Sequence, residues 1–192
     1  MATQPLLKLT PQEYLAIERI REYKSEYVNG EMFAMAGASK RHNLIMLNAA
    51  GELRSQLKGR PGHVYVTDMR VKVNPPELYT YPDVIVVCEQ EQFEDQQEDT
   101  LLNPTMIIEV LSRTTETYDR GRKFVYYRKI ESLREYLLIS QDMPLVERYV
   151  RELGSQSWLF SEANTLQDVV ELTSIKCRLV LAEVYDKVEL KG

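Results

Sequence analysis

The sequence predicts an α/β fold, a mixed β-sheet with helices packed against it, and three observations lead there. The runs Val84-Ile85-Val86-Val87 and Met106-Ile107-Ile108 lack polar alternation, which marks central strands covered on both faces. A segment from about Thr117 to Ile130 places Phe124, Tyr127 and Ile130 at helical spacing before a further strand pattern at Arg134 to Ser140, so a crossover packs on the sheet. Beyond Gln141, the pieces Leu145 to Arg151, Ser157 to Phe160 and Val169 to Ser174 alternate apolar and polar residues, as an antiparallel C-terminal extension does.

Each element has its own local signal. Thr10-Pro11-Gln12-Glu13 combines a capping box with proline at the first helical position and predicts a helix to about Glu22. Ser25-Glu26-Tyr27-Val28 and Glu31-Met32-Phe33-Ala34-Met35 flank Asn29-Gly30, a dipeptide suited to the positive φ angles of a two-residue hairpin turn. Ser39 is the expected N-cap of an amphipathic helix that ends before Gly59, with Leu44, Leu47, Gly51 and Leu57 on its apolar side. Its exposed side carries Lys40, Arg41, Arg54 and Lys58. His63 to Thr67, Met69 to Val73, Asp83 to Cys88 and Thr105 to Leu111 read as strands, interrupted by Pro75-Pro76. Glu89 to Thr100 holds Glu89, Glu91, Glu94, Asp95, Glu98 and Asp99 with little apolar support and is expected to be a solvated loop.

The chain has 192 residues, 44% of them hydrophobic and 28% charged, with 8 Gly and 8 Pro, the size and make-up of one folded domain over residues 1–192. No stretch approaches the roughly 18 apolar residues of a membrane helix, and Met1 to Thr10 has no signal-peptide pattern, so a cytoplasmic protein without membrane contact is expected. Cys88 and Cys177 lie far apart and the histidines are His42 and His63, which argues against a Cys/His zinc site or a disulfide scaffold. A net charge of −5 and a pI of about 5.3 argue against a protein that coats nucleic acid nonspecifically, although not against a local basic cleft. Walker, Rossmann, nucleophile-elbow and zincin motifs are all missing.

What stands out is one carboxylate in each of two neighbouring apolar strands, Asp83 and Glu109. An ionised carboxylate in a buried strand costs several kcal/mol unless a basic partner, a proton or a divalent cation compensates for it. A shared cation fits best, because magnesium takes one or two carboxylates plus water and phosphate oxygens. A structural buried ion pair is the alternative. Lys123 has Asp119 one turn before it and Tyr127 one turn after it, so all three share a helix face that can point an ammonium at a developing phosphoryl charge. The bland alternative is an Asp119/Lys123 surface pair. Glu26, His42 and Asp68 are secondary candidates: a further carboxylate, a group to orient phosphate or water, and a carboxylate that equally suits a turn.

Taken together, Tyr81-Pro82-Asp83, Ile108-Glu109-Val110-Leu111-Ser112, Lys123 with Tyr126-Tyr127, and Glu135-Tyr136-Leu137 resemble the PD-(D/E)XK nuclease superfamily. Within it the chain is most similar to the Uma-two family of restriction-endonuclease-like proteins, abundant in cyanobacteria, whose usual opening also matches Glu26 to Glu31 and the Ser39 to His42 helix start. The resemblance implies a restriction-endonuclease-like mixed central sheet flanked by helices. It further implies a DNA endonuclease in which Asp83, Glu109 and the Val110 carbonyl hold magnesium or manganese. The superfamily's lysine two residues after the glutamate is absent, since Leu111 stands there, and Lys123 on the following helix takes its place. Lys40, Arg41, Arg54, Lys58, Arg120, Arg122, Arg128 and Lys129 are candidates for a DNA cleft. A homodimer or higher homo-oligomer is expected, because Leu179 to Tyr185 is apolar with no obvious element after it to cover it, and because cutting a duplex needs two sites. The competing reading is a non-catalytic protein that keeps the nuclease fold for binding or assembly.

Overall fold

In chain order the elements are helix α1 (Pro11–Glu18), strands β1 (Ser25–Val28) and β2 (Glu31–Ala34), helix α2 (Lys40–Gln56), and strands β3 (His63–Val66), β4 (Arg70–Val73), β5 (Leu78–Thr80), β6 (Val84–Val87), β7 (Thr100–Leu101) and β8 (Met106–Leu111). A helical segment follows, made of α3 (Glu116–Tyr118), a π-helical turn (Asp119–Lys123) and α4 (Phe124–Tyr127). The chain continues through β9 (Glu135–Ser140), β10 (Val146–Arg151), β11 (Trp158–Ala163), β12 (Val169–Leu172) and β13 (Cys177–Val180) to α5 (Leu181–Val184). This computed structural model describes residues 8–75 and 77–190. The opening segment to residue 7, where the sequence shows no signal-peptide pattern, and Pro76 of the Pro75-Pro76 pair lie outside the described residues.

A six-stranded sheet has the order β11-β10-β9-β8-β6-β3, with β8 and β9 parallel across the predicted crossover and the other pairs antiparallel. A five-stranded sheet has the order β2-β1-β5-β4-β7. The central strands are buried on both sides, as their unbroken apolar runs require. On one face Val84, Val86, Ile108 and Ile139 pack with Ile45, Ala49 and Leu53 of α2 and with Leu181 and Val184 of α5. On the other face Ile85, Ile107, Tyr136 and Leu138 meet Tyr127 of α4 and Val71, Val73 and Leu78 of the five-stranded sheet. The mixed sheet flanked by helices is the architecture expected from the sequence, and among the described residues no helix is long and apolar enough to cross a membrane.

Several expectations change. The first helix stops at Glu18 and not near Glu22, because the Glu18 carboxylate turns back to accept from the Ser25 amide and the Tyr81 hydroxyl, leaving Ile20 exposed. The buried stripe of α2 is Ile45, Ala49 and Leu53, and Leu47 is 63% exposed. Spacing by fours with small alanines lets the helix lie close on the sheet; of the expected apolar residues Leu57 joins this stripe, whereas Leu47 and Gly51 do not. Leu53→Ala is accordingly expected to cost about 2–5 kcal/mol in urea unfolding, and Leu47→Ala no more than about 0.5.

The acidic stretch 89–100 is held down along its length. Arg19 binds Asp95 and Asp99 at 2.8 Å, Lys72 binds Glu94 at 2.6 Å, Arg70 also pairs with Asp99, and Phe93 bridges to Leu101. Glu94, Asp95 and Asp99 are thus paired with cations distant in sequence, whereas Glu89 and Glu98 are exposed as expected. In the extension, β10 and β11 continue the six-stranded sheet, whereas β12 leaves it to pair with β13. Leu179, Leu181, Val184 and Tyr185 are buried within the chain against α2, so the C-terminal apolar run gives no ground for a dimer.

Candidate active site

The site forms where β6 and β8 run antiparallel. Val84 pairs with Ile108, which brings Asp83, just before β6, close to Glu109 of β8, near enough for the two carboxylates to interact electrostatically. Asp83 Oδ2 accepts from the Val110 amide at 2.7 Å and lies 3.1 Å from His42 Nε2. His42 reaches it from the start of α2, whose N-cap Ser39 accepts from the His42 amide. The other ring nitrogen, Nδ1, is buried with no partner among the described residues.

Glu109 is 4% exposed and turns Oε1 to the Tyr127 hydroxyl at 2.8 Å and to Lys123 Nζ at 2.9 Å. Lys123 also meets Glu26 Oε1 at 3.2 Å and Asp119 Oδ1 at 3.7 Å. Glu26 arrives on β1, from the other sheet, and accepts from Thr80 Oγ1, which lies 3.3 Å from the Tyr127 hydroxyl. The π-helical turn over Asp119–Lys123 contains Gly121, a weak helix former, and carries Lys123 and Asp119 inward together. The Asp119 carbonyl accepts from Tyr136 at 3.2 Å. One ammonium is therefore enclosed by three carboxylates from three elements. The surface-pair alternative for Asp119 and Lys123 does not hold, since both are buried.

Burial acts on the protons of Glu109, Asp119 and Lys123. Removal from water, helped by Asp83 and Asp119 and opposed by Lys123, pushes the Glu109 carboxyl up to about 8. Burial likewise raises Asp119. Burial works against the Lys123 ammonium, but Glu109 and Glu26 outweigh it and keep Lys123 protonated well above the ordinary lysine range.

Of the residues singled out in the sequence, Asp83, Glu109, Lys123, Glu26 and His42 come together, with Val110 joining through its amide. Asp68 does not join them; it is exposed and binds Lys24 Nζ at 2.7 Å. Thr80 was not visible as a site residue, because its short strand has no periodic pattern. Asp119 and Tyr127 were detectable only through their four-residue spacing from Lys123. Among the basic residues proposed for a cleft, Lys40, Arg41 and Arg120 are occupied by Glu189, by Asp142, and by Glu116 and Glu147 respectively.

The chain is similar to several known proteins. The structure of a putative nuclease belonging to DUF820 from Anabaena variabilis ATCC 29413 superposes with a TM-score of 0.77 over 94% of this chain and 99% of that one, at 18% identity, and so shares the fold. Two uncharacterized proteins of Synechocystis sp. (strain ATCC 27184 / PCC 6803 / Kazusa) are similar in sequence. The protein sll1609 is 38% identical, covering 88% of this chain and 94% of its own, and slr1290 is 33% identical, covering 94% and 93%. The family model Uma2, described as putative restriction endonuclease, matches residues 11–182, and the chain belongs to that family.

Proposed function

We propose that this protein is a magnesium-dependent endonuclease that hydrolyses phosphodiester bonds in DNA, with manganese as an alternative ion. The observation that supports it best is the neighbouring pair Asp83 and Glu109 with Lys123 Nζ 2.9 Å from the latter. The donor set suits magnesium: two hard carboxylates at neighbouring strands, with Asp83 Oδ1 and Glu109 Oε2 not engaged by other side chains among the described residues. The Val110 carbonyl is the proposed further oxygen. When bound, the ion would supply Lewis-acid polarisation of the scissile phosphate.

The protein's own groups supply the rest. Lys123 stays protonated, so its role is to stabilise charge developing on the phosphoryl oxygens and not to take a proton from the attacking water. Glu26, Asp119 and Tyr127 hold Lys123 and Glu109 in place. His42 fixes Asp83 through Nε2 and leaves Nδ1 to orient a water or a phosphate oxygen.

One observation favours a second reading, a non-catalytic member of the fold: three carboxylates around Lys123 also satisfy the needs of a structural buried ion pair. Magnesium or manganese should raise the melting temperature of the wild type and leave an Asp83→Ala/Glu109→Ala variant unmoved, with plasmid and branched DNA cleaved only by the former. Equal behaviour of the two proteins removes the metal site; a metal shift without cleavage selects the second reading. Cleavage of both strands needs two sites related by a two-fold axis, so a homodimer belongs to the proposal. Light scattering at micromolar concentration that gives a monomer mass would contradict it.

A further inference from the structure

The protein is acidic overall, and many of its cations, among them Arg19, Arg70, Lys72, Arg120, Lys123 and Arg148, sit in ion pairs. Just past the C-terminus of α4 several cations without such partners gather at one cavity. Arg128, Lys129 and Arg151 line a cavity of about 560 Å³ together with Pro75, Gln156 and Trp158, and Glu131 is its one carboxylate. Among the described residues none of these three cations has an ion-pair partner, nor has Arg134, which lines an adjoining cavity of about 850 Å³ that shares Lys129 and Glu131.

Arg151 is fixed rigidly here. Its Nη2 donates to the carbonyls of Arg128 at 2.6 Å and Ile130 at 2.8 Å, and its guanidinium lies over the Trp158 ring, 4.8 Å from the centroid. Its Nε is buried without an acceptor among the described residues. Burial, with Arg134 nearby and against the opposing pull of Glu131, holds its pKa below the ordinary arginine value. A rigidly held guanidinium beside two cations that have no ion-pair partner among the described residues, in a concave site, is an arrangement that receives phosphate oxygens.

We propose that this cavity is a phosphate-binding site in which Arg128, Lys129 and Arg151 receive a phosphate group carried by a nucleic-acid strand or by a free nucleotide. It is separate from the carboxylate cluster. None of its lining residues is among those that contact Asp83, Glu109 or Lys123. The proposal therefore stands whether or not the cluster cleaves DNA.

Trp158 is the single tryptophan of the chain and lines the cavity, so its fluorescence reports on occupancy. Full-length protein is titrated with inorganic phosphate, a nucleoside monophosphate and a short single-stranded oligonucleotide, in chelator and at ionic strength held constant with sodium chloride. A saturable change is expected, with a midpoint at least about tenfold weaker in Arg128→Gln/Lys129→Gln, because charge-assisted contacts of this kind are lost. Both residues are exposed, and an unchanged circular dichroism spectrum shows that the variant is folded. An oligonucleotide midpoint about tenfold below that of the monophosphate identifies a strand as the source, and comparable midpoints identify a free small phosphate. No saturable change with any of the three probes, or the same midpoint in the variant, overturns the site.

Discussion

Lys123→Ala is expected to cost about 3–5 kcal/mol of stability in the metal-free protein, because it leaves Glu26, Glu109 and Asp119 buried together without their cation. Cleavage should fall by about 10²- to 10³-fold, the usual cost of one preorganised charge-stabilising group. The two losses separate under magnesium. Positive charge supplied at the same carboxylates should return part of the stability, so the metal-induced melting shift should be larger in Lys123→Ala than in the wild type. Urea unfolding in chelator, melting with and without magnesium, and plasmid cleavage rates measure all three. A variant as stable as the wild type would mean that the carboxylates do not depend on this lysine. Wild-type cleavage would remove Lys123 from the chemistry.

Glu109→Gln should abolish the metal-induced melting shift and lower cleavage by about 10³-fold or more, the equivalent of several kcal/mol of charge stabilisation at the phosphate. Its effect on stability runs the other way. Burial raises the folded carboxyl to about 8 from an ordinary 4.5, so between these values the native state binds more protons than the unfolded chain. Stability of the metal-free wild type therefore declines as pH rises from about 4.5 to about 8, and the decline is complete above the folded value. Glu109→Gln has no such proton to lose and should show a flatter profile over that window. Denaturant midpoints measured from pH 5 to 8 in chelator would contradict this if the two slopes were equal.

The central strands were legible because burial on both faces leaves an unbroken apolar run, and a lone Asp or Glu inside such a run is conspicuous. The hairpin was legible because Asn29 and Gly30 both adopt the positive φ angles that their turn requires. Strands β5 and β7, of three and two residues, are too short for any period to show. The side of α2 that faces the sheet was misread because Ala49 and Ala50 do the packing, and hydrophobic size points elsewhere. Within the site, the Asp83 and Glu109 juxtaposition follows from two neighbouring strands, whereas the approach of Glu26 to Lys123 depends on how two sheets dock, which no local spacing encodes. The π-helical turn has no sequence signature beyond Gly121, so the inward aim of Asp119 and Lys123 became visible only in three dimensions.

That docking has a kinetic consequence. The contact between Thr80 and Glu26 closes 54 residues of chain, and that between Val110 and Asp83 closes 27, so the cluster depends on loop closures that are slow relative to local helix and hairpin formation. A nascent chain still lacking β8 and the helical segment after it has neither Glu109 nor Lys123, and a chain whose sheets have not yet met lacks Glu26 at the site. Whatever chemistry the cluster performs is therefore acquired at the end of folding, and it is switched off by any local opening that parts the β1–β2 hairpin from the crossover helix. Its activity reports on the completed tertiary structure more sensitively than secondary-structure content does.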